Sequence, residues 1–364
     1  IDAAGNAGPV AARSMSVDTQ APNLVPTLNS VIDDQAPVTG ALVSGATTDD
    51  QMLALSGNLA RPLDAGETVV VFDGATRLGT AFVNGNAWSY DTPALANGAH
   101  NLTLRVADAA GNLGAASEIF AVTVDTTVPV ATASVTPAAT GRVNTATPTL
   151  SGAVTGGLAQ GDIVQVFDGS TLLGTATLGG GGTTWSLTAP QLAEGGHSLR
   201  AVVVNAAGKV GAPSAAVDLT VDLTAPSVSI TDNAPGVTKN AITYTIAFNE
   251  AVTGFDATDI VVANGTKGAF TAVSDRVFTL VVTPTAGFEG NVSLDIAAGA
   301  ANDLAGNGSV AAAQSLQQVD TRGPNAPVVT PVSGGTINAA ERAAGVAITG
   351  TAEANARVEI ALTS

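Results

Sequence analysis

The chain has 364 residues, enough at about 100 to 150 per domain for roughly two to four domains with cores of their own, and its lack of cysteine excludes disulfide frameworks and thiolate metal sites. A formal net charge of −17 with only 12% charged residues reflects a shortage of bases, which leaves nucleic acid and anionic membrane without the basic surface they need. Apolar content of 45% with only 4% aromatics, together with 41 Gly and 17 Pro, describes many short strands and tight turns.

Two recurring marks punctuate the chain. Asp2-Ala-Ala-Gly-Asn6 is followed by Val17-Asp18-Thr-Gln-Ala-Pro22, and Asp108-Ala-Ala-Gly-Asn112 by Val124-Asp125-Thr-Thr-Val-Pro129. Asn205-Ala-Ala-Gly-Lys209 is followed by Val221-Asp222-Leu-Thr-Ala-Pro226, and Asp303-Leu-Ala-Gly-Asn307 by Val319-Asp320-Thr-Arg-Gly-Pro324. The Val-Asp marks step by 107, 97 and 98 residues, a period of whole domains. The step predicts the tail of a preceding unit at 1–18, complete units at 19–125, 126–222 and 223–320, and the head of a following unit at 321–364.

In the first unit an extra stretch carries Asp33-Asp34 and Asp49-Asp50, which read either as a further ion site or as two solvated turns. Val71-Phe72-Asp73-Gly74 has the Asp-Gly of a hairpin turn. From His100 to Val106, Leu102, Leu104 and Val106 share one face and Asn101, Thr103 and Arg105 the other, the period of a half-buried strand. Phe120, Val122 and Val124 alternate likewise before the linker. The second unit repeats these landmarks as Val166-Phe167-Asp168-Gly169, Trp185 for Trp88 and His197 for His100, with Leu199, Ala201 and Val203, then Val217, Leu219 and Val221, facing inward. Gly179 to Gly182 reads as a hairpin loop, because a phosphate loop needs a following Lys-Ser/Thr and a helix. The third unit departs from the pattern: it lacks the Trp and the Phe-Asp-Gly hairpin, and its last strand is polar around Gln314 to Gln318. Only Asn338 to Ala344, rich in Ala, predicts a short helical turn. The predicted fold class is therefore all-β, a tandem of antiparallel sandwiches with about seven short strands per 100 residues.

The Asp-x-Ala-Gly-Asn loop, the Val-Asp-x-Thr-x-Pro linker, the Phe-Asp-Gly hairpin followed by Leu-Gly-Thr-Ala, and the Trp-Ser before the penultimate strand resemble a known family over nearly the whole chain. It is the bacterial Ig-like tandem repeats of giant type I-secreted RTX adhesins and biofilm-associated surface proteins. The third unit, with Phe248-Asn-Glu-Ala-Val-Thr-Gly-Phe255 and Val282-Thr-Pro-Thr285, resembles a different subgroup of the same class. The resemblance implies immunoglobulin-like sandwiches in an extended rod, secretion to the cell surface, and calcium between domains. It implies a stalk segment whose immediate partners are its own neighbouring repeats, with the host-cell, surface or matrix target bound by another domain. Two other readings stay open, a self-assembling matrix or sheath fibre and a glycan-binding module.

Topology supplies a separate argument for calcium. In an Ig-type sandwich the chain enters at the end carrying the B–C and F–G loops. A linker Asp then stands beside those loops of the following domain: Asp18 near Asp64, Glu67, Asp108 and Asn112; Asp125 near Asp162 and Asn205; Asp222 near Glu250, Asp256, Asp259 and Asp303. Calcium takes about six to eight oxygens, and Asp, Asn and backbone carbonyls suit it. The same Asp-x-Ala-Gly-Asn is equally a good hairpin loop, with Gly free to take φ > 0 and the Asp capping its own turn.

Other chemistry finds little support in the residues. His100 and His197 stand one per unit at equivalent positions, so they are expected to be structural and not to pair as catalytic or zinc residues. Trp88 and Trp185 are expected in cores or hairpins and not on a sugar-binding platform. A contiguous EF-hand loop and the nonapeptide calcium repeat are missing, so any calcium site must be assembled from distant segments, and with the histidines isolated from any nucleophile elbow no enzyme is expected. No apolar run reaches about 18 residues and no signal-peptide pattern is present, so this segment is expected neither to insert in a membrane nor to direct its own export.

Overall fold

The computed structural model describes residues 1, 3–9, 13–330 and 337–361; Asp2 of the first loop motif lies outside them. Contacts divide the chain into two compact units, Ile1–Gly141 with Ala146–Thr220, and Arg142–Thr145 with Val221–Ser364.

The first unit holds the first two repeats apart from Arg142–Thr145 and the closing Val221 and Asp222. In the first repeat one sheet runs in the order Gly40–Ala41, Thr27–Asp33, Ala54–Asn58, Ala87–Asp91, Phe82–Asn84. The other runs Ala46–Thr48, Phe120–Val124, Gly98–Ala107, Thr68–Asp73, Thr76–Thr80. The chain changes sheets between Ala41 and Ala46, and Ala46–Thr48 therefore pairs in parallel with Phe120–Val124 among otherwise antiparallel ladders. The expected alternation is realised, since Leu102, Leu104 and Val106 are fully buried in one core with Val31, Leu55 and Trp88. The second repeat follows the same plan, with one sheet in the order Thr132–Ala133, Thr149–Thr155, Thr184–Thr188, Thr177–Leu178.

Both indoles belong to the cores. Trp88 and Trp185 are buried, and their ring N–H groups donate to the carbonyls of Thr27 at 3.1 Å and Ser134 at 2.9 Å. Each lies across the sheet from a glycine, Gly57 or Gly152, whose missing Cβ makes room for the ring. Packing of this kind needs a wide flat side chain and a gap beneath it, which is why Trp recurs with the repeat.

The histidines are structural for a reason the spacing did not show. The Nδ1 of His197 lies 2.7 Å from Asp168 Oδ2 and its Nε2 lies 2.9 Å from the Ala193 carbonyl; His100 meets Asp73 and Ala96 in the same way. Two acceptors face two ring nitrogens, so the doubly protonated ring fits best. The hydrogen bond to Asp168 holds the His197 pKa above its ordinary value despite burial, which opposes it. A raised imidazole pKa adds stability that is whole below the unfolded value of about 6.5 and is lost as pH rises through the folded value. Thermal unfolding should therefore give a higher midpoint at about pH 6 than at about pH 8, and replacing both histidines by Gln should flatten that slope. An unchanged slope in the double variant would remove the imidazoles as its source.

In the second unit, the third repeat pairs Val228–Asp232, Ile242–Phe248, Val277–Pro284 and Gly265–Ala272 in one sheet, and Ile260–Ala263, Glu289–Ile296 and Ser315–Asp320 in the other. With no Trp available, Phe248, Phe255 and Phe278 fill the core edge-to-face at centroid distances of 5.0 to 6.0 Å. The polar last strand is a real strand: Gln317 points inward beside Val319, and its amide donates to the carbonyls of Gly236 and Gln318. In the final stretch Val328–Val329 pairs with Gly350–Thr351, and the expected helical turn is Ala339–Ala344, capped by the Asn338 side chain.

Candidate metal centre

The loop motif first builds its own turn. Asp108 Oδ1 accepts from the backbone N–H of Ala110 and Asn112, and Oδ2 accepts from the Asn112 amide at 2.8 Å, while Gly111 takes φ +92°. Asp303 does the same with Ala305, Gly306 and Asn307 at 2.7 to 2.8 Å, with Gly306 at φ +96°. The hairpin reading of this motif is therefore correct for these loops.

The motif also grips the linker before it. The Asn112 amide donates to the Asp18 carbonyl at 3.1 Å, and the Asn307 amide to the Asp222 carbonyl at 2.8 Å. Asn205 donates instead to the Asp125 carboxylate at 3.2 Å and the Thr127 carbonyl at 2.9 Å. Each linker thus meets the F–G loop of its following domain, as the topology required. Asn307 was not among the expected site residues, although its place in the repeated motif marked it.

Convergence of carboxylates differs among the three linkers. At the third repeat one oxygen each from Asp222, Glu250 and Asp303 lies within 4.8 Å of the others, the one such group of three acids among the described residues. Burial, then the charges of Asp222 and Asp303, push the Glu250 pKa up. Asp303 is pulled the other way: burial would raise its pKa, but the Asn307 side chain and three backbone N–H groups outweigh it. Two basic groups compete for the site: Arg142 Nη1 stands 3.8 Å from Asp222 Oδ2, and the charges of Arg276 and Arg142 both oppose the rise of the Glu250 pKa. Asp256 and Asp259 are not in this group; they cap the short 3-10 turn Ala257–Asp259, each accepting from the other's end of it.

At the first linker the Asp18 side chain caps Gln20, and Asp64 and Glu67 share Arg61, whose Nη1 lies 3.1 Å from the former and 3.3 Å from the latter. At the second, Asp125, Asp162 and Asn205 line one cleft of about 210 Å³. Hydrogen bonds from the Thr127 hydroxyl and N–H hold the Asp125 pKa low, and Asp162 accepts from Ala159 N–H. The acidic group Asp33, Asp34, Asp49 and Asp50 is not a pair of solvated turns, and only its first two members lie in the extra stretch, because Thr48 matches Val143 of the second repeat, each carbonyl receiving the N–H of the linker Asp. Asp33, Asp49 and Asp50 are 1%, 4% and 4% exposed, so only Asp34 is solvated. Asp33 accepts from Gln35 N–H and the Thr48 hydroxyl, and Asp50 from Asp34 and Met52 N–H, which is what permits their burial.

Two family models, both described as bacterial Ig-like domain, match the chain, one over residues 27–126 and 130–223 and the other over 222–319. No curated protein matches it. One similar solved structure is a tetra-tandem repeat in the extending region of a large adhesion protein, 20% identical, covering 78% of this chain and 75% of that one with a TM-score of 0.26. Another is a Bacteroides ovatus mixed-linkage glucan utilization locus SGBP-B in complex with a mixed-linkage heptasaccharide, 16% identical, covering 90% and 76% with a TM-score of 0.20. At these values neither likeness carries functional weight.

Proposed function

Because this chain belongs to the bacterial Ig-like domain family, we propose that it is a structural stalk segment of a large secreted bacterial adhesin in which calcium fixes a linker to the domain that follows. The observation that carries the calcium part is the meeting of Asp222, Glu250 and Asp303 within 4.8 Å at the entrance of the third repeat. The donors are all carboxylate oxygens from three separate segments, the hard ligand set that calcium prefers over softer metals. Without a cation, like charges at about 4 Å repel by about 1 kcal/mol per pair in water and about 4 kcal/mol at an effective dielectric of 20. A divalent ion there converts a strained entrance into a tie between linker and loops.

The stalk part rests on the tandem itself. Each repeat has its own core, so added repeats add length, with stability that is approximately a sum of unit and junction contributions. Both indoles are used in cores and both imidazoles in hydrogen bonds, which favours a non-catalytic role and leaves target binding to a domain other than these repeats. Among the described residues no helix is long and apolar enough to cross a membrane. Location outside the cell is part of the proposal, where calcium at about tenfold excess over its Kd stabilises each site by about 1.4 kcal/mol.

Calorimetric titration of the chain with calcium tests this reading. Binding is expected with a Kd on the order of 10⁻⁴ to 10⁻³ M, and the Asp222→Asn, Glu250→Gln double variant should lose the site at the third repeat. Small-angle scattering should show larger or better-defined dimensions in calcium than in chelator. Absence of binding heat together with identical scattering in both conditions would end the calcium reading.

A further inference from the structure

The first two repeats depart from the common pattern in two places, and the structure brings the departures together. Thr27 and Ser134 are equivalent, since each carbonyl receives the indole N–H of its repeat. Thr48 and Val143 are equivalent as well, since each carbonyl receives the N–H of the linker Asp that ends its repeat. The extra residues of the first repeat therefore lie between Thr27 and Thr48, in the hairpin Thr27–Asp33 with Gly40–Ala41 and its loop. The other departure is the F–G loop of the second repeat, where Asn205 and Lys209 stand in place of Asp and Asn.

That loop is docked on the hairpin. Gly208, at φ +84°, lies so close that a Cβ on it would fall 2.6 Å from Val38 Cγ2 and 3.1 Å from Pro37 Cγ. Beside it Lys209 Nζ reaches 2.5 Å from Asp49 Oδ2, an ion pair in which the Asp49 side chain has no exposed surface. The pair lacks the alignment of a hydrogen bond, and neither Asp49 oxygen accepts one from any other described group. Its neighbours Asp33 and Asp50 have donors of their own. A buried carboxylate without donors is strongly unfavourable unless a counter-ion meets it. Lys209 is that counter-ion, supplied by the next domain.

The loop of the third repeat shows the alternative. Asn144 holds the place of Asp49, and it donates its amide to the Gly306 carbonyl at 3.1 Å. Asn307 holds the place of Lys209 and spends its amide on Asp222 and Asp303, beside three clustered carboxylates. A neutral pair accompanies the acidic cluster, whereas a lysine–aspartate pair accompanies the loop that has Asn205 where the others have Asp. The two loops thus differ in where charge sits: one gathers three carboxylates, the other seats a lysine on a buried aspartate.

We propose that the junction between the first and second repeats is held by Lys209 as a built-in cation seated on Asp49, and is rigid without a divalent ion. The inference is independent of the calcium reading at Asp222, Glu250 and Asp303. It assigns the insertion in the first repeat a task, which is to receive the Gly208-Lys209 corner of its neighbour.

Because the chain has no cysteine, a single labelled pair can be introduced cleanly. Thr80→Cys and Thr175→Cys are exposed positions in the first and second repeats, and nitroxides there report the inter-repeat distance distribution by pulsed electron resonance on the full chain. A narrow distribution of the same width is expected in calcium and in chelator. Lys209→Met should broaden it about two-fold or more in both conditions, as expected when an inter-domain tie is released and domain motion returns. Asp49→Leu, on the other repeat, should do the same, and the two together should broaden it no further than either alone. A distribution that stays narrow in Lys209→Met and Asp49→Leu, or one in the parent that widens on chelation alone, overturns the proposal.

Discussion

Replacing Asp303 by alanine is expected to destabilise the third repeat by about 3 kcal/mol, because each buried donor left without its acceptor costs about 1 to 3 kcal/mol and part of the loss is recovered by water. Asp303 is 3% exposed and receives four hydrogen bonds: the N–H groups of Ala305, Gly306 and Asn307 and the Asn307 amide. Once that acceptor is gone the Asn307 amide also loses the orientation that delivers it to the Asp222 carbonyl. Asp303→Asn should be far milder, since Asn205 already shows the amide oxygen accepting from Ala207 and Lys209 N–H at 3.1 and 2.7 Å. Both variants should nevertheless weaken calcium at the third repeat, because both remove a charged ligand. The third repeat has no tryptophan, so its unfolding can be followed by circular dichroism while indole fluorescence reports the first two. Equal destabilisation by Ala and Asn would show that the loop does not depend on the acceptor oxygen.

Replacing Gly152 by alanine should destabilise the second repeat by a similar amount, about 3 kcal/mol, at the upper end of what overpacking usually costs. The new Cβ would fall 1.7 Å from the Ser134 carbonyl oxygen and 2.6 Å from the Trp185 ring. Neither neighbour can retreat easily: the carbonyl holds the indole N–H, and the ring fills the core. The readout is a lower denaturant midpoint for the indole fluorescence transition of the second repeat. Gly180→Ala is the matched control, because a Cβ there meets nothing within 4 Å. A Gly152→Ala midpoint equal to that of the control would mean that the strand pair opens without penalty, contrary to the packing described for Trp185.

Much of the architecture was legible along the chain because strands announce themselves locally. Leu102, Leu104 and Val106 alternate with polar residues, and each of the three is buried. Gln317 was harder to place, because its burial depends on a carbonyl of Gly236 that is 81 residues away. The phenylalanine cluster of the third repeat likewise combines rings from Phe248, Phe255, Phe270 and Phe278, whose meeting no periodicity expresses. Among the candidate ligands, the linker-to-loop approach was readable from the entry geometry of the sandwich, whereas the sorting of Asp222, Glu250 and Asp303 from Asp256 and Asp259 was not. All five are acids of the third repeat or of the linker that leads into it, and only the fold tells a carboxylate that caps a turn from one aimed at a shared point.

By itself the sequence determined the all-β class, the repeat step, the inward faces of the strands and the loop that begins with Asp and turns on Gly. These are properties of short segments, set by side-chain alternation and by the φ values that each residue tolerates. Tertiary structure alone decided the pairings: Asp73 and Asp168 with their histidines, Arg61 with Glu67, and Lys209 with Asp49 across two repeats. Electrostatic partners are chosen by distance in space and by burial, which lowers the dielectric and leaves a lone charge no alternative to a counter-ion. Neither quantity is written in the spacing of residues along the chain.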